Sequence, residues 1–255
     1  PAGFAGAAGL TDGCASQIAS GAVAPGEFNT TIGTTLVVKG VSERLLLDPQ
    51  GRIYCHRHPE GWWLPGGASN TGAECIARDF SAQERERFSA AALKRSPTPL
   101  VCYPLVRRGE RFPFAAAQAE PFVLGEPSDR AELFTGYLEG VAYLERMAFE
   151  MLEGLGADVG DAVYSAGGGS QNEAWLQIRA DTLGRRVLRP AVTGGAMGAA
   201  VVAAGGAYYG SLSEAARRMV RVERSVEPRA ALAAAYGERY ERFRHECLRR
   251  GYLRT

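Results

Sequence analysis

The residues best suited by type and spacing to hold a ligand lie in Ala166-Gly-Gly-Gly-Ser-Gln-Asn-Glu-Ala-Trp-Leu-Gln-Ile-Arg-Ala-Asp181, where a glycine run opens directly into a helical pattern. Backbone without Cβ atoms lets a flat ligand such as a nucleotide come close. A helix start leaves unpaired N–H groups, and Asn172 can add its side-chain amide to the same ligand. Asp161-Ala-Val-Tyr-Ser165 reads as a short strand, and Trp175, Ile178 and Leu183 recur at near-helical spacing, so the order is strand, glycine turn, helix. A glycine triplet standing alone is as readily a plain turn.

Other ligand chemistries are disfavoured by spacing. Gly67 to Gly72 is followed by Ala73 and Glu74 with no lysine, so there is no P-loop, and no Gly-x-Gly-x-x-Gly follows a strand as a dinucleotide site requires. Tyr54-Cys-His-Arg-His58 gathers metal-ligating types. On a strand His56 and His58 point to one face and Cys55 to the other, so the three do not converge on one tetrahedral ion.

The elements that must position these residues follow from periodicity. Cys14 to Val23 reads as a helix, and residues 27–32 and 35–39 as two β-branched strands meeting at Gly33. Leu45-Leu-Leu47, Ile53-Tyr-Cys-His56 and Trp62-Trp-Leu64 predict further short strands, separated by turns at Asp48-Pro-Gln-Gly51 and Pro59-Glu-Gly61. A helix is expected after Asn70, then helix, a strand near Leu100–Tyr103 and loop through the proline-rich stretch 80–127. Phe134, Tyr137, Val141, Leu144, Ala148, Met151 and Leu155 step by three and four, predicting an amphipathic helix from 129 to 155, capped by Ser128 and stopped by Gly154 and Gly156. Helix 172–183, a strand at Arg186–Leu188, a small-residue helix from Gly195 to Ala204 and a closing helix within 228–249 complete the reading.

The chain has 255 residues, 46% hydrophobic and 22% charged, enough to bury a core of one large or two small domains. A net charge of +1 gives no reason to expect nucleic acid, and no apolar run reaches membrane-spanning length. The five cysteines are scattered without a CxxC pair, which fits reduced thiols and a cytoplasmic protein.

Four segments stand in a telling order: Gly9-Leu-Thr-Asp-Gly-Cys-Ala-Ser16, Thr31-Ile-Gly-Thr-Thr35, Gly66-Gly-Ala-Ser-Asn-Thr-Gly72 and Gly167-Gly-Gly-Ser-Gln-Asn172, with Gly136-Tyr-Leu-Glu-Gly-Val141 as a fifth. Together they resemble the C-terminal half of the FGGY carbohydrate kinases, which include glycerol, xylulose and ribulose kinases. Gly33-Thr-Thr-Leu36 and Tyr54-x-His-Arg57 are similar to a subgroup related to D-ribulose kinases and plant xylulose-kinase-like proteins. The resemblance implies an α/β fold, one lobe of the actin-like ATPase (ribonuclease H-like) architecture, with a mixed sheet and flanking helices. It divides the chain into residues 1–23, the end of an N-terminal kinase domain, and residues 24–255, the C-terminal nucleotide-binding domain. A sugar-binding first domain with an Asp-x-Gly-Thr phosphate loop is then expected to precede this stretch.

The same resemblance assigns roles. Asp12 matches the catalytic base, although a lone Asp after Thr is more commonly a helix N-cap. Gly33, Thr34 and Thr35 match a phosphate loop, Gly67 and Thr71 fall on nucleotide-contacting positions, and Gly168 and Asn172 align with the adenosine motif. ATP and Mg²⁺ are the implied cofactors, with no protein side chain marked as a metal ligand. The implied partner is a small sugar, a ketopentose such as D-ribulose or D-xylulose, with neither nucleic acid nor membrane; a homodimer is left open. Two other readings are a nucleotide-binding module without catalysis and an actin-fold ATPase without a sugar acceptor.

Overall fold

The computed structural model describes residues 10–253. In chain order the elements are α1 (Asp12–Ala19), β1 (Phe28–Ile32), β2 (Leu36–Gly40), β3 (Tyr54–Arg57), β4 (Trp63–Ala68), α2 (Glu74–Asp79), α3 (Ala82–Arg95), β5 (Val101–Tyr103), β6 (Phe122–Leu124), α4 (Arg130–Gly154), β7 (Ala162–Ala166), α5 (Glu173–Leu183), β8 (Arg186–Pro190), α6 (Gly195–Ala204), α7 (Leu212–Met219), β9 (Val222–Val226) and α8 (Ala233–Arg249). Seven strands form one mixed sheet in the order β3-β4-β2-β1-β7-β8-β9, while β5 and β6 pair separately. β1 is antiparallel to β2 but parallel to β7, and β7 is parallel to β8.

Alternation along β1 explains the layers. Phe28 and Ile32 enter the main core with Leu36 and Val38 of β2, where they meet Phe134, Leu138, Val141 and Phe149 of α4. The opposite face is covered by α1, which packs on α6; Ile18 and Val23 share a smaller core with Val201, Leu212 and Ala215. At one end of the main core a buried ion pair joins α4, α5 and β7. Arg179 donates to both Glu145 oxygens at 2.7 Å, and its guanidinium also reaches Ser165 Oγ. Both charged side chains are fully buried. Losing one partner of such a pair typically costs about 3–5 kcal/mol, so β7 and α5, which flank the glycine run, are locked in relation to each other.

Several sequence expectations are corrected. Leu45–Leu47 is not a strand: Leu46 is buried while Leu45 and Leu47 are exposed, and no neighbouring strand supplies a ladder. Asp129, not Ser128, caps α4, accepting from Glu132 N at 2.8 Å, while the Ser128 N–H donates to the Glu132 carboxylate at 2.7 Å. The cap is thus shifted by one residue. Gly66 and Gly67 lie inside β4, which runs past the expected strand at 62–64. The reading had no counterpart for β6, α7 or β9. The last is a charged edge strand, Val-Glu-Arg-Ser-Val, with little hydrophobic signature.

Candidate active site

Because β1, β7 and β8 are parallel neighbours, the turns that follow them leave the sheet at one edge. Ligands of open α/β sheets bind outside that carboxyl edge. The first turn is Gly33-Thr34-Thr35, closed by the Gly33 N–H donating to Thr35 O at 3.0 Å. It is strapped from behind by residues 71–74. Leu36 N donates to Thr71 O (2.8 Å), Ala73 N to Gly33 O (2.8 Å) and Glu74 N to Thr34 O (3.2 Å). Gly72 permits this approach, since a Cβ there would lie 2.5 Å from Thr35 Cα.

The second turn is the glycine run. Gly167 has φ of +82° and presses against the end of β1, where a Cβ would sit 2.5 Å from Ile32 O. Residues Gly168–Gln171 form one 3₁₀ turn, and Asn172 then caps α5. Between the two turns opens a cleft of about 410 Å³ lined by Gly33, Thr34, Gly168 and Asn172. Ile76, Phe134, Leu138 and Trp175 form its apolar walls, and Arg85 and Ser89 of α3 its polar side. Gly168 is exposed, with no atom within 4 Å of where its Cβ would be. A flat apolar platform with a few polar groups is what a nucleobase requires.

Asn172 borders the cleft with its amide engaged inside the lobe. Its Oδ1 accepts from Trp175 N at 3.1 Å and its Nδ2 donates to Ser89 Oγ at 2.8 Å, so the amide ties α5 to α3 while bordering the cleft. Gly67 and Thr71 do not line the cleft. A Cβ on Gly67 would overlap the Phe112 ring. Thr71 is fully buried; its hydroxyl donates to Glu110 Oε2 at 3.1 Å, beside Ser69 Oγ at 2.8 Å and Tyr103 Oη at 3.0 Å on the same carboxylate oxygen. Both residues support the strap and the strand behind the first turn. Arg85 and Ser89 had no sequence signal, being polar positions on an exposed helical face. Trp175 was legible only as a helical apolar position.

Asp12 begins α1 and is exposed, with Thr11 as the N-cap residue. A Cβ on Gly195 would come within 3.0 Å of Asp12 Oδ1, so the carboxylate neighbours the start of α6, directly after the turn that follows β8. Asp12 therefore stands at the same sheet edge as the two glycine turns. Gly9 of its motif lies outside the described residues. Around Tyr54–His58, Cys55 Sγ donates to Leu46 O at 3.3 Å, whereas the buried His58 accepts from Glu60 N at 3.1 Å and packs on Trp62. Among the described residues no three His, Cys, Asp or Glu side chains are grouped to hold a metal ion.

A lobe with this sheet order, a threonine turn and a glycine turn at the carboxyl edge has the actin-like ATPase fold of its structural neighbours. The family described as "FGGY family of carbohydrate kinases, C-terminal domain" matches residues 28–207. The chain belongs to that family. It is 25% identical to a xylulose kinase of Bacillus subtilis, over 93% of this chain and 50% of the relative. It is also 25% identical to a gluconokinase of Bacillus licheniformis, over 71% of this chain and 39% of that protein. The crystal structure of xylulose kinase from Rhodospirillum rubrum superposes with a TM-score of 0.80 at 26% identity, covering 93% of this chain and 50% of that one. The chain thus spans about half the length of the curated relatives it matches. No helix among the described residues is long and apolar enough to cross a membrane.

Proposed function

We propose that this chain is the nucleotide-binding half of an ATP-dependent carbohydrate kinase, working with a preceding sugar-binding domain of which residues 1–23 form the end. The observation that carries the reading is the meeting of Gly33, Thr34, Gly168 and Asn172 around one cleft, with Asp12 at the same sheet edge. The adenine and ribose would lie against Gly168 between the apolar walls. The Gly33-Thr34-Thr35 turn would offer backbone N–H groups and hydroxyls to the β- and γ-phosphate oxygens. An acceptor hydroxyl oxygen bonds to the γ-phosphorus while the bond from that phosphorus to the oxygen bridging the β-phosphate breaks. ADP leaves, and the hydroxyl proton passes to the Asp12 carboxylate. Mg²⁺ would supply charge neutralisation on the nucleotide phosphates. The side chains described here form no cage for it, and none of the steps assigned to this chain depends on one.

The acceptor is a five-carbon ketose, supported by the xylulose kinase relatives and by the Gly33-Thr-Thr-Leu36 and Tyr54-x-His-Arg57 patterns. The gluconokinase relative favours a sugar acid as the second reading. A coupled ADP-release assay of the two-domain protein over D-ribulose, L-ribulose, D-xylulose, L-fuculose, gluconate and glycerol tests both. Highest kcat/KM for a ketopentose is expected. Highest kcat/KM for gluconate would move the acceptor to the second reading, and no turnover with any of the six would overturn the sugar-kinase reading. The isolated chain should bind ATP and transfer nothing, because one lobe supplies only part of the phosphate cradle.

A further inference from the structure

A charged side chain is buried beneath the start of α1. Lys39 of β2 is 5% exposed, and no carboxylate among the described residues lies within ion-pairing distance of its ammonium. Its one hydrogen bond is to the sulfur of Cys14, 3.8 Å away. The route of the side chain is built by the sheet: Lys39 pairs with Gly66, and Gly66 with Tyr54, so a bare glycine separates the lysine from the tyrosine ring. The ammonium ends 5.4 Å from the centre of that ring and 3.5 Å from where a Cβ on Gly13 would project, one residue from Asp12.

This placement is unfavourable twice over. Burying an ammonium without a carboxylate costs several kcal/mol in general. The N-terminal end of a helix carries partial positive charge, which repels a cation set beneath it. Nearby groups add little compensation: His56 Nδ1 is buried without a partner, and Arg111 contributes further positive charge around Tyr54. A site that concentrates uncompensated positive charge beside a catalytic carboxylate is arranged for an anion that arrives with the reaction.

We propose that Lys39 supplies positive charge to the phosphoryl group in transit beside Asp12, on the acceptor side. This rests on the sugar-kinase reading above. In that reaction the moving group carries negative charge on its equatorial oxygens, and a fixed cation near Asp12 stabilises it without donating to ADP. Burial holds the Lys39 pKa below its ordinary value, with the neighbouring Cys14 opposing that shift. The titratable groups facing it are Cys14 of α1 and Tyr54 and His56 of β3, with Arg111 beyond the Tyr54 ring and Asp12 one residue along the chain from the Gly13 that the ammonium approaches.

The test pairs Lys39→Met with two readouts. In the two-domain protein, Lys39→Met should lower kcat about 10-fold or more with little change in the Kd for ATP. The same substitution should leave the melting temperature unchanged or raise it, since an unpaired buried charge is replaced by an apolar chain of similar length. The parent should lose kcat at high pH as Lys39 deprotonates, and this alkaline limb should disappear in Lys39→Met yet persist in Cys14→Ala. Activity within twofold of the parent would overturn the proposal, as would a lower melting temperature with the alkaline limb retained, the signature of a merely structural lysine. Independently of turnover, the ¹³Cε resonance of Lys39 should titrate at higher pH when ADP and inorganic phosphate are present together. An unmoved midpoint refutes the assignment even if the parent enzyme phosphorylates sugars, whereas absence of turnover in the parent refutes only the kinase reading.

Discussion

Three successive glycines in one turn separate folding from binding, because each meets a different environment. A Cβ on Gly168, which lines the cleft, meets nothing within 4 Å. Gly168→Val should therefore change stability by no more than about 0.5 kcal/mol, as for an ordinary surface substitution. If adenine lies on that platform, lifting it off exposes on the order of 80 Å² of apolar contact. At about 25 cal/mol per Å² this is roughly 2 kcal/mol, or about a 30-fold rise in Kd. Gly167→Ala should do the reverse. Its φ of +82° is a region that L-residues avoid, and its Cβ would sit 2.5 Å from Ile32 O. A loss of about 2–3 kcal/mol follows, and the melting temperature should drop by about 5–10 °C. Gly169→Ala would press on the Ile32 side chain at 2.7 Å and should also destabilise, by about 1–3 kcal/mol. Thermal melting without nucleotide and calorimetric titration with ATP on the same three variants give both numbers. A Gly168→Val variant that titrates like the parent, or a Gly167→Ala variant that melts like it, would refute this division of roles.

Asp12→Asn keeps the size of an exposed side chain and removes its charge, so turnover of the two-domain protein should fall roughly 10²-fold or more while the Kd for ATP holds; near-normal kcat would remove Asp12 as the base. Thr71→Val deletes one of the hydroxyls donating to the buried Glu110, so denaturant unfolding should show a loss of about 1–3 kcal/mol with little change in ATP affinity, and a large affinity loss at parental stability would return Thr71 to the nucleotide site. Burial pushes the Glu139 carboxyl up to about 8 from an ordinary 4.5, against the opposing bonds from Thr98. A folded-state pKa above the unfolded one gives stability that is present below about 4.5 and lost as pH rises through about 8, so Glu139→Gln should flatten the stability profile across that window. A profile of unchanged slope in the variant would contradict this.

What the sequence made legible was local, and what it hid was set by distant neighbours. The Gly33 hairpin, the strand-glycine-helix unit around Gly168 and the long helix α4 each declare themselves through spacing within a single element. Burial by partners far along the chain is different. Gly67 and Thr71 carry the right residue types for a phosphate turn, yet Phe112 fills the space over Gly67 and Glu110 takes the Thr71 hydroxyl, both from some 40 positions away. No spacing rule connects those segments. Their family motif is therefore as well explained by the strap behind the Gly33 turn as by contact with a ligand, since any Cβ at position 72 would lie 2.5 Å from Thr35 Cα. Lys39 is the converse case. At the end of Leu-Val-Val-Lys it reads as the polar terminus of a strand, and only the topology, which lays α1 over that face and leaves Gly66 bare beside it, turns a commonplace lysine into a buried charge next to Asp12. Residues that shape a turn can be found by their spacing. A charge that the fold buries, such as Lys39, is found only once the sheet has brought its neighbours together.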